Sequence, residues 1–309
     1  MDCTCKARAT RSRLCVSMQR PHKSMHWKRK SIQSKPELTP NKHCSRRSAV
    51  VHDGMGFDIS RLVGNATTLA LTIGSHIEPL LPAPDGVAIA FEPVVHSLIK
   101  PQPRLFVVPA AVAAEDGIAA MEKFAGIHGS QSSSLSAPAR QAYWNHGVGL
   151  IAVPVVSFRG LLASLPPADV LTLHALKTDM QGHDFATLES VGAQLRRAHW
   201  VLAETYLRGD SAYKLPVGND FCSLLLPHMT RMGYKLHELR ATLGTPGRPI
   251  LASSTARARA YCAEDAARAR LGTSDGLSTS TPHREANALW RLNTTRLAMP
   301  SLKNWRLDN

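Results

Sequence analysis

The stretch "AIAFEPVVH" (88–96) carries the decisive pattern. An apolar run climbs through Ile89 and Phe91, meets a carboxylate at Glu92 and turns at Pro93. A strand that alternates apolar and polar residues has one wet face. A continuous apolar run of this length reads as a strand covered on both faces, as in a parallel sheet. An acid at the end of such a run then falls at the strand's carboxyl tip. In open α/β sheets, ligands bind beyond those tips, where the strand order reverses. Glu92 is therefore expected either to accept hydrogen bonds from a ribose diol or to be a solvated strand end.

Similar runs lie on either side. "TLALTI" (68–73) ends in Gly74 and Ser75, where a glycine permits close approach of another backbone or a ligand. "RLFVVPAAVA" (104–113), "GLIAVPVVSF" (149–158), "LHALKTD" (173–179), "HWVLAE" (199–204) and "YKLHEL" (234–239) read as further strands. Between two of them, Phe185, Leu188, Val191 and Leu195 recur at helical steps, with Asp184 and Glu189 early and Arg196 and Arg197 late. "NDFCSLLLPHMTRMG" offers Asn219 or Asp220 as a cap, Pro227 as a kink and Gly233 as a stop. Alternating strands and helices predict an α/β fold with a mostly parallel sheet and helices on both faces.

Charge divides the chain into three. The whole has 37 Lys+Arg against 23 Asp+Glu, net +14, but residues 1–50 hold 13 basic residues and two acids. Residues 241–309 hold ten and five, leaving 14 basic and 16 acidic in the middle. Phosphate binding needs a clustered positive face, so the middle is not expected to bind nucleic acid. No stretch reaches the ~18 apolar residues of a membrane span. Residues 1–49 have the composition of a mitochondrial or chloroplast transit peptide, or of a plain basic arm; without import the protein would be cytoplasmic. Residues 241–309, with "GTPGRP" and "GTSDGLSTSTP", read as a low-complexity and mostly disordered tail, apart from one short helix at "YCAEDAARARL" (261–271). The expected folded domain is thus 50–240. Only Cys222 of the six cysteines lies inside it, so its stability is not expected to rest on disulfides.

Taken in order, "AFEPVVHSL", "VVPAAVAAEDG", "GSQSSSL" (129–135), "VVSFRGLL", "LHALKTDMQGHDFATLESV", "WVLAET" and "FCSLLLPHMTRMGYKL" resemble the FkbM-type methyltransferases. Most specific is "LKTDMQGHD", which is similar to the family's Leu-Lys-Ile-Asp-x-(Glu/Gln)-Gly-(His/Ala)-(Glu/Asp) signature. The resemblance covers most of 50–240. It implies a Rossmann-like methyltransferase fold of seven strands with one reversed, S-adenosylmethionine as methyl donor and an oxygen acceptor on a small or sugar-like molecule. Carried over by position, Glu92 would bind the cofactor ribose, Gly74 and Ser75 would line its methionine side, and Asp179 would face the methyl group. The chain departs from the family in its first motif, "LTIGSHIEPLL", where Thr72 stands at a position commonly aspartate. "VVHDGMGFD" (50–58) offers a rival first motif. The departure leaves a catalytically inactive, methyltransferase-like binding protein as the alternative.

Methyl transfer from a sulfonium needs an aligned acceptor and a place for its proton. Asp179 and Glu204 end neighbouring strands, with His183 close behind. Asp179 or His183 could act as general base. Alternatively, Asp179 and Glu204 could hold a divalent cation such as Mg²⁺, or Asp179 and Asp184 could simply support the turn and cap the helix. Ser132–Ser134 form a loop that could lie near the acceptor.

Overall fold

A computed structural model describes residues 59–94, 96–124, 134–135, 147–207, 217–241, 250–271 and 285–300. The basic segment 1–49 and the rival motif at 50–58 lie outside them. After a one-turn helix α1 (Ser60–Val63), the chain forms β1 (Thr68–Ile73), β2 (Gly86–Phe91) and β3 (Leu105–Val108). All three run parallel. Every residue of β2 and the last five of β1 are buried, as unbroken apolar runs require.

The expected third strand divides at Pro109. A proline has no N–H to give to a ladder, so pairing ends there. The rest becomes β4 (Ala111–Ala113), which joins β5 (Gly117–Phe124) and β6 (Gly147–Ser157) in a separate three-stranded sheet, order β4-β6-β5. "GLIAVPVVSF" therefore forms a strand, but outside the large sheet. Helix α2 (Phe158–Ala163) follows, capped by the Ser157 hydroxyl on the Gly160 amide at 2.9 Å.

The chain then returns to the large sheet on the other side of β1. β7 (Thr172–Thr178) pairs parallel with β1, and β8 (Ala198–Tyr206) pairs parallel with β7. The helix between them is shorter than its periodicity predicts. Helix α3 covers Asp184–Ser190 only, and a 3₁₀ segment, Gly192–Arg197, completes the span. Gly192, at φ 54°, supplies the left-handed residue that ends an α-helix. Asp220 caps a π turn at Phe221–Leu225, its carboxylate accepting from the Ser223 amide at 2.6 Å. Pro227 then stands in the first turn of α4 (Leu226–Arg231), splitting the two as expected. β9 (Tyr234–Ala241), β10 (Ile250–Ala252), α5 (Thr255–Leu271) and β11 (Glu285–Leu292) complete the fold.

The large sheet has the order β10-β9-β11-β8-β7-β1-β2-β3. β11 is antiparallel to both β8 and β9, and β10 is antiparallel to β9. The fold is α/β with a large, mostly parallel sheet, but that sheet is mixed and has eight strands rather than seven, the extra one being the short edge strand β10. The boundary expected at residue 240 is also corrected. β11 lies inside the sheet, and Ala286, Ala288 and Trp290 are fully buried. The chain beyond it packs back on β8, where His199 contacts the Thr295 hydroxyl at 2.7 Å and Trp200 donates to the Leu297 carbonyl at 3.4 Å.

Two apolar clusters cover the sheet. The larger holds Leu69, Leu71, Ile73, Ile89 and Phe91 with Phe158, Leu188 and Trp290. The smaller holds Ala70, Ala88, Ala175, Trp200, Leu202 and Leu289. Cys222 and Cys262 form a disulfide, so the π turn is covalently joined to α5. The expectation that stability does not rest on disulfides counted only Cys222 inside the domain; Cys262 belongs to the fold and pairs with it.

Candidate functional site

Sheet order reverses at β1. From there the chain steps outward to β2 and β3, then returns to β7 on the opposite side. The carboxyl ends of β1 and β7 mark the switch point of this sheet, the place where an open α/β fold can admit a ligand. Gly74 and Asp179 stand on its two sides. The Asp179 amide donates to the Ile73 carbonyl at 2.9 Å, and the Gly74 amide to the Phe91 carbonyl at 3.0 Å. Ile73 and Gly74 together thus link the tips of three adjacent strands.

Glu92 is 6% exposed, which excludes the solvated strand end. One carboxylate oxygen accepts from the His76 amide at 2.6 Å and the other from the Val94 amide at 2.9 Å. His76, at φ 45°, and Gln181, at φ 53°, are non-glycine residues in the left-handed region, one on each side of the switch point. Such conformations are held only where surrounding structure over-determines them. Ser75 is 1% exposed and its hydroxyl has no hydrogen-bond partner. Thr72, also buried, accepts from the Leu80 amide at 2.9 Å. A neutral side chain at this position therefore ties the first motif to the chain that follows.

Asp179 sits at the rim, its side chain 33% exposed, with the Lys177 ammonium at 3.8 Å and the Gln181 side-chain amide donating at 3.1 Å. Behind it lies Asp184, fully buried, whose carboxylate accepts from the Met180 amide at 3.2 and 3.3 Å. Burial, reinforced by the charge of Asp179, pushes the Asp184 carboxyl up to about 7. Glu204, near the end of β8, is held well above the ordinary carboxylate range by burial and then by Asp179, Glu285 and Asp184. Glu285, at the start of β11, is raised to about 7 by burial, Asp179 and Asp184. His183 precedes α3, and burial lowers its pKa, which favours the neutral imidazole.

Of the residues expected at the site, Gly74, Ser75 and Glu92 line the β1 and β2 tips. Asp179 and Glu204 are electrostatically coupled across the β7 and β8 tips. His183 is adjacent in sequence, but its shift arises from burial. Ser134 donates to the Gln181 carbonyl at 3.2 Å, which brings the Ser-rich segment against the turn after Asp179. Ser132 and Ser133 lie outside the described residues. Two acids have a larger place than the sequence suggested. The sequence alone places Asp184 as a helix-start acid and Glu285 in a low-complexity tail. The available signal for the latter was the alternation Ala286, Ala288, Trp290, Leu292, the period of a strand.

Asn219 ties β8 to the start of α3. Its side chain accepts from the Phe185 amide at 3.0 Å and donates to the Glu204 carbonyl at 3.2 Å. Its own carbonyl accepts from the Tyr206 amide and the Thr205 hydroxyl, each at 2.8 Å. Among the described residues, no group of three or more His, Cys, Asp or Glu side chains could hold a metal ion. No described helix is long and apolar enough to cross a membrane. Comparison with protein-family models, curated proteins and solved structures finds no match in any of the three.

Proposed function

We propose that this chain is an S-adenosylmethionine-dependent methyltransferase with a Rossmann-like fold, acting on a hydroxyl of a small or sugar-like acceptor. The observation that carries the reading is Glu92: a buried carboxylate at the tip of β2, oriented by two backbone amides, next to a switch point flanked by Gly74 and Asp179. A carboxylate fixed in this way at a strand tip is the kind of acceptor that a ribose diol uses in dinucleotide-type folds. Gly74 and Ser75 would lie along the methionine portion. Asp179, His183 and Glu204 would face the acceptor. When bound, the cofactor supplies the electrophilic methyl group. The chain's part is to exclude water and to take the acceptor's proton, either on the neutral imidazole of His183 or within the carboxyl cluster.

One observation favours the inactive alternative. Thr72 is neutral and already occupied by the Leu80 amide, so the first motif lacks the acid that the resemblance leads one to expect there. Calorimetric titration with S-adenosylhomocysteine decides between them. The methyltransferase reading expects micromolar binding that Glu92→Ala abolishes while a cooperative thermal melt is retained. No binding at millimolar ligand would leave only the inactive form.

A further inference from the structure

We infer that the Cys222–Cys262 disulfide is a thiol–disulfide exchange site, at which a dithiol reductant loosens the corner of the fold that carries Asp179. The consequence for catalysis rests on the methyltransferase reading; the exchange site and its effect on the fold do not.

The bond sits at the margin of the core. Both cysteines are half-buried and pack against the larger apolar cluster, with exposed Ser223 and Ala263 next to them in the chain. Structural disulfides resist reduction, while exposed ones are the labile and regulatory ones. Each side of the bond also has anchors of its own. Phe221 and Leu225 of the π turn are fully buried. On α5, Ala258 is fully buried, and the Thr255 hydroxyl accepts from the Leu236 amide of β9 at 2.8 Å. Opening the bond therefore leaves a folded chain with one looser joint.

That joint leads to the candidate site. Cys222 lies in the π turn, a rare helical form found frequently at functional sites. Asn219, three residues earlier, accepts from the Phe185 amide at 3.0 Å and donates to the Glu204 carbonyl at 3.2 Å. Asp184, next to Phe185, accepts from the Met180 amide at 3.2 and 3.3 Å, and Met180 follows Asp179. A continuous run of covalent and hydrogen bonds thus joins the disulfide to Asp179. Coupling between two places needs an element with two discrete states. The bond itself, closed or open, is that element.

The chemistry is an exchange. A thiolate of the reductant attacks one of the two sulfurs. The S–S bond breaks, and its electron pair leaves on the other sulfur, which takes a proton. The reductant's second thiol, as thiolate, displaces the mixed disulfide, and the sulfur released is protonated in turn. Cys222 and Cys262 gain two electrons and two protons; the dithiol loses the same and closes its own disulfide.

The test treats the full-length chain with dithiothreitol in native buffer. Cys3, Cys5, Cys15 and Cys44 are also present, so Cys222 and Cys262 are followed by alkylation and peptide mass spectrometry. The rate of reduction should rise with dithiothreitol but not with urea kept well below the unfolding transition, because attack falls on the folded chain. A rate that climbs steeply with urea marks a bond reached only by global unfolding, and overturns the inference. Reduction should also quicken amide exchange at Phe185 and Met180 and weaken S-adenosylhomocysteine about tenfold in calorimetry, and reoxidation should reverse both. Cys222→Ser should behave as the reduced chain and ignore dithiothreitol; Cys262→Ser gives the same reading if the first variant does not fold. Faster Met180 exchange with no S-adenosylhomocysteine binding in either state keeps the switch and removes the methyltransferase. Unchanged Met180 exchange, or equal affinity in the two states of a chain that does bind, removes the switch alone.

Discussion

A β-carbon placed on Gly74 would lie 1.9 Å from the carbonyl oxygen of Asp179. Ile73 and Thr178 are register partners, so the residues that follow them leave the sheet side by side. Gly74 also has φ 71°, a conformation that side chains resist. The two strand tips can approach this closely only because one residue has no side chain. Gly74→Ala must move backbone, since the clashing atom is itself backbone. A loss of roughly 3 kcal/mol or more is expected from strain and clash together. A denaturant melt measures it; a loss below ~1 kcal/mol would mean that the tips can part at little cost.

The carboxyl cluster gives the folded protein an unusual acid-side stability. Asp184 and Glu285, with ordinary values of 3.8 and 4.5, are raised to about 7. Between those limits the folded chain keeps protons that the unfolded chain has released. Their contribution is complete below pH ~4 and is lost as pH rises through about 7. His183, His199 and His228, lowered mainly by burial, act the other way, costing stability as pH falls through the usual histidine range. The cluster is isolated by difference. Asp184→Asn and Glu285→Gln should each flatten the decline in Tm between pH 5 and pH 7.5, by an amount corresponding to a few kcal/mol at most. A parent and variant with parallel Tm-against-pH curves would show that these carboxyls titrate normally.

β1 and β2 are legible because burial on both faces leaves a nearly unbroken apolar run, a pattern that survives translation into one dimension, and β7 and β8 because apolar residues still dominate theirs. Glu92 was legible for the same reason, as the acid that ends such a run. Other features depend on partners distant in sequence. Pro109 is visible as a break, but nothing local says that β4 leaves one sheet for another. β11 follows a Ser-, Thr- and Gly-rich segment whose composition masked the alternation after it. Asp184 looks like any acid at a helix start. Only the fold places it behind Asp179, where burial and a neighbouring charge change its chemistry. Glu204 and Glu285 come to influence the acids of the β7–α3 turn through strand order, which spacing does not encode.

Asn219 joins β8 to the start of α3 through two side-chain hydrogen bonds. Asn219→Ala would strand the Phe185 amide and the Glu204 carbonyl in the interior. Each orphaned group costs about 1–3 kcal/mol, so a loss of about 2–6 kcal/mol is expected. Asn219→Asp keeps the acceptor for Phe185 but removes the donor to Glu204, and adds charge beside an acid cluster. It should be destabilised more at pH 8 than at pH 5. Equal destabilisation at the two pH values, measured by urea melts, would show that the new carboxylate does not sense the cluster.

The Cys222–Cys262 disulfide closes a sequence separation of 40 residues across β9 and β10, pinning α5 to the π turn that follows Asn219. Closing a loop of that length restricts the unfolded chain, and the chain-entropy relation gives about 4 kcal/mol of stabilisation. Reduction with a dithiol should lower Tm by several degrees. Cys222→Ser and Cys262→Ser should each reproduce the drop, and neither variant should respond further to the reductant. Because Asn219 lies three residues before Cys222, loosening is expected to spread from the π turn toward the start of α3. Amide exchange should therefore quicken first at Phe221–Leu225 and next at Phe185. Unchanged Tm and exchange after complete reduction, verified by thiol titration, would show that α5 is held by packing alone.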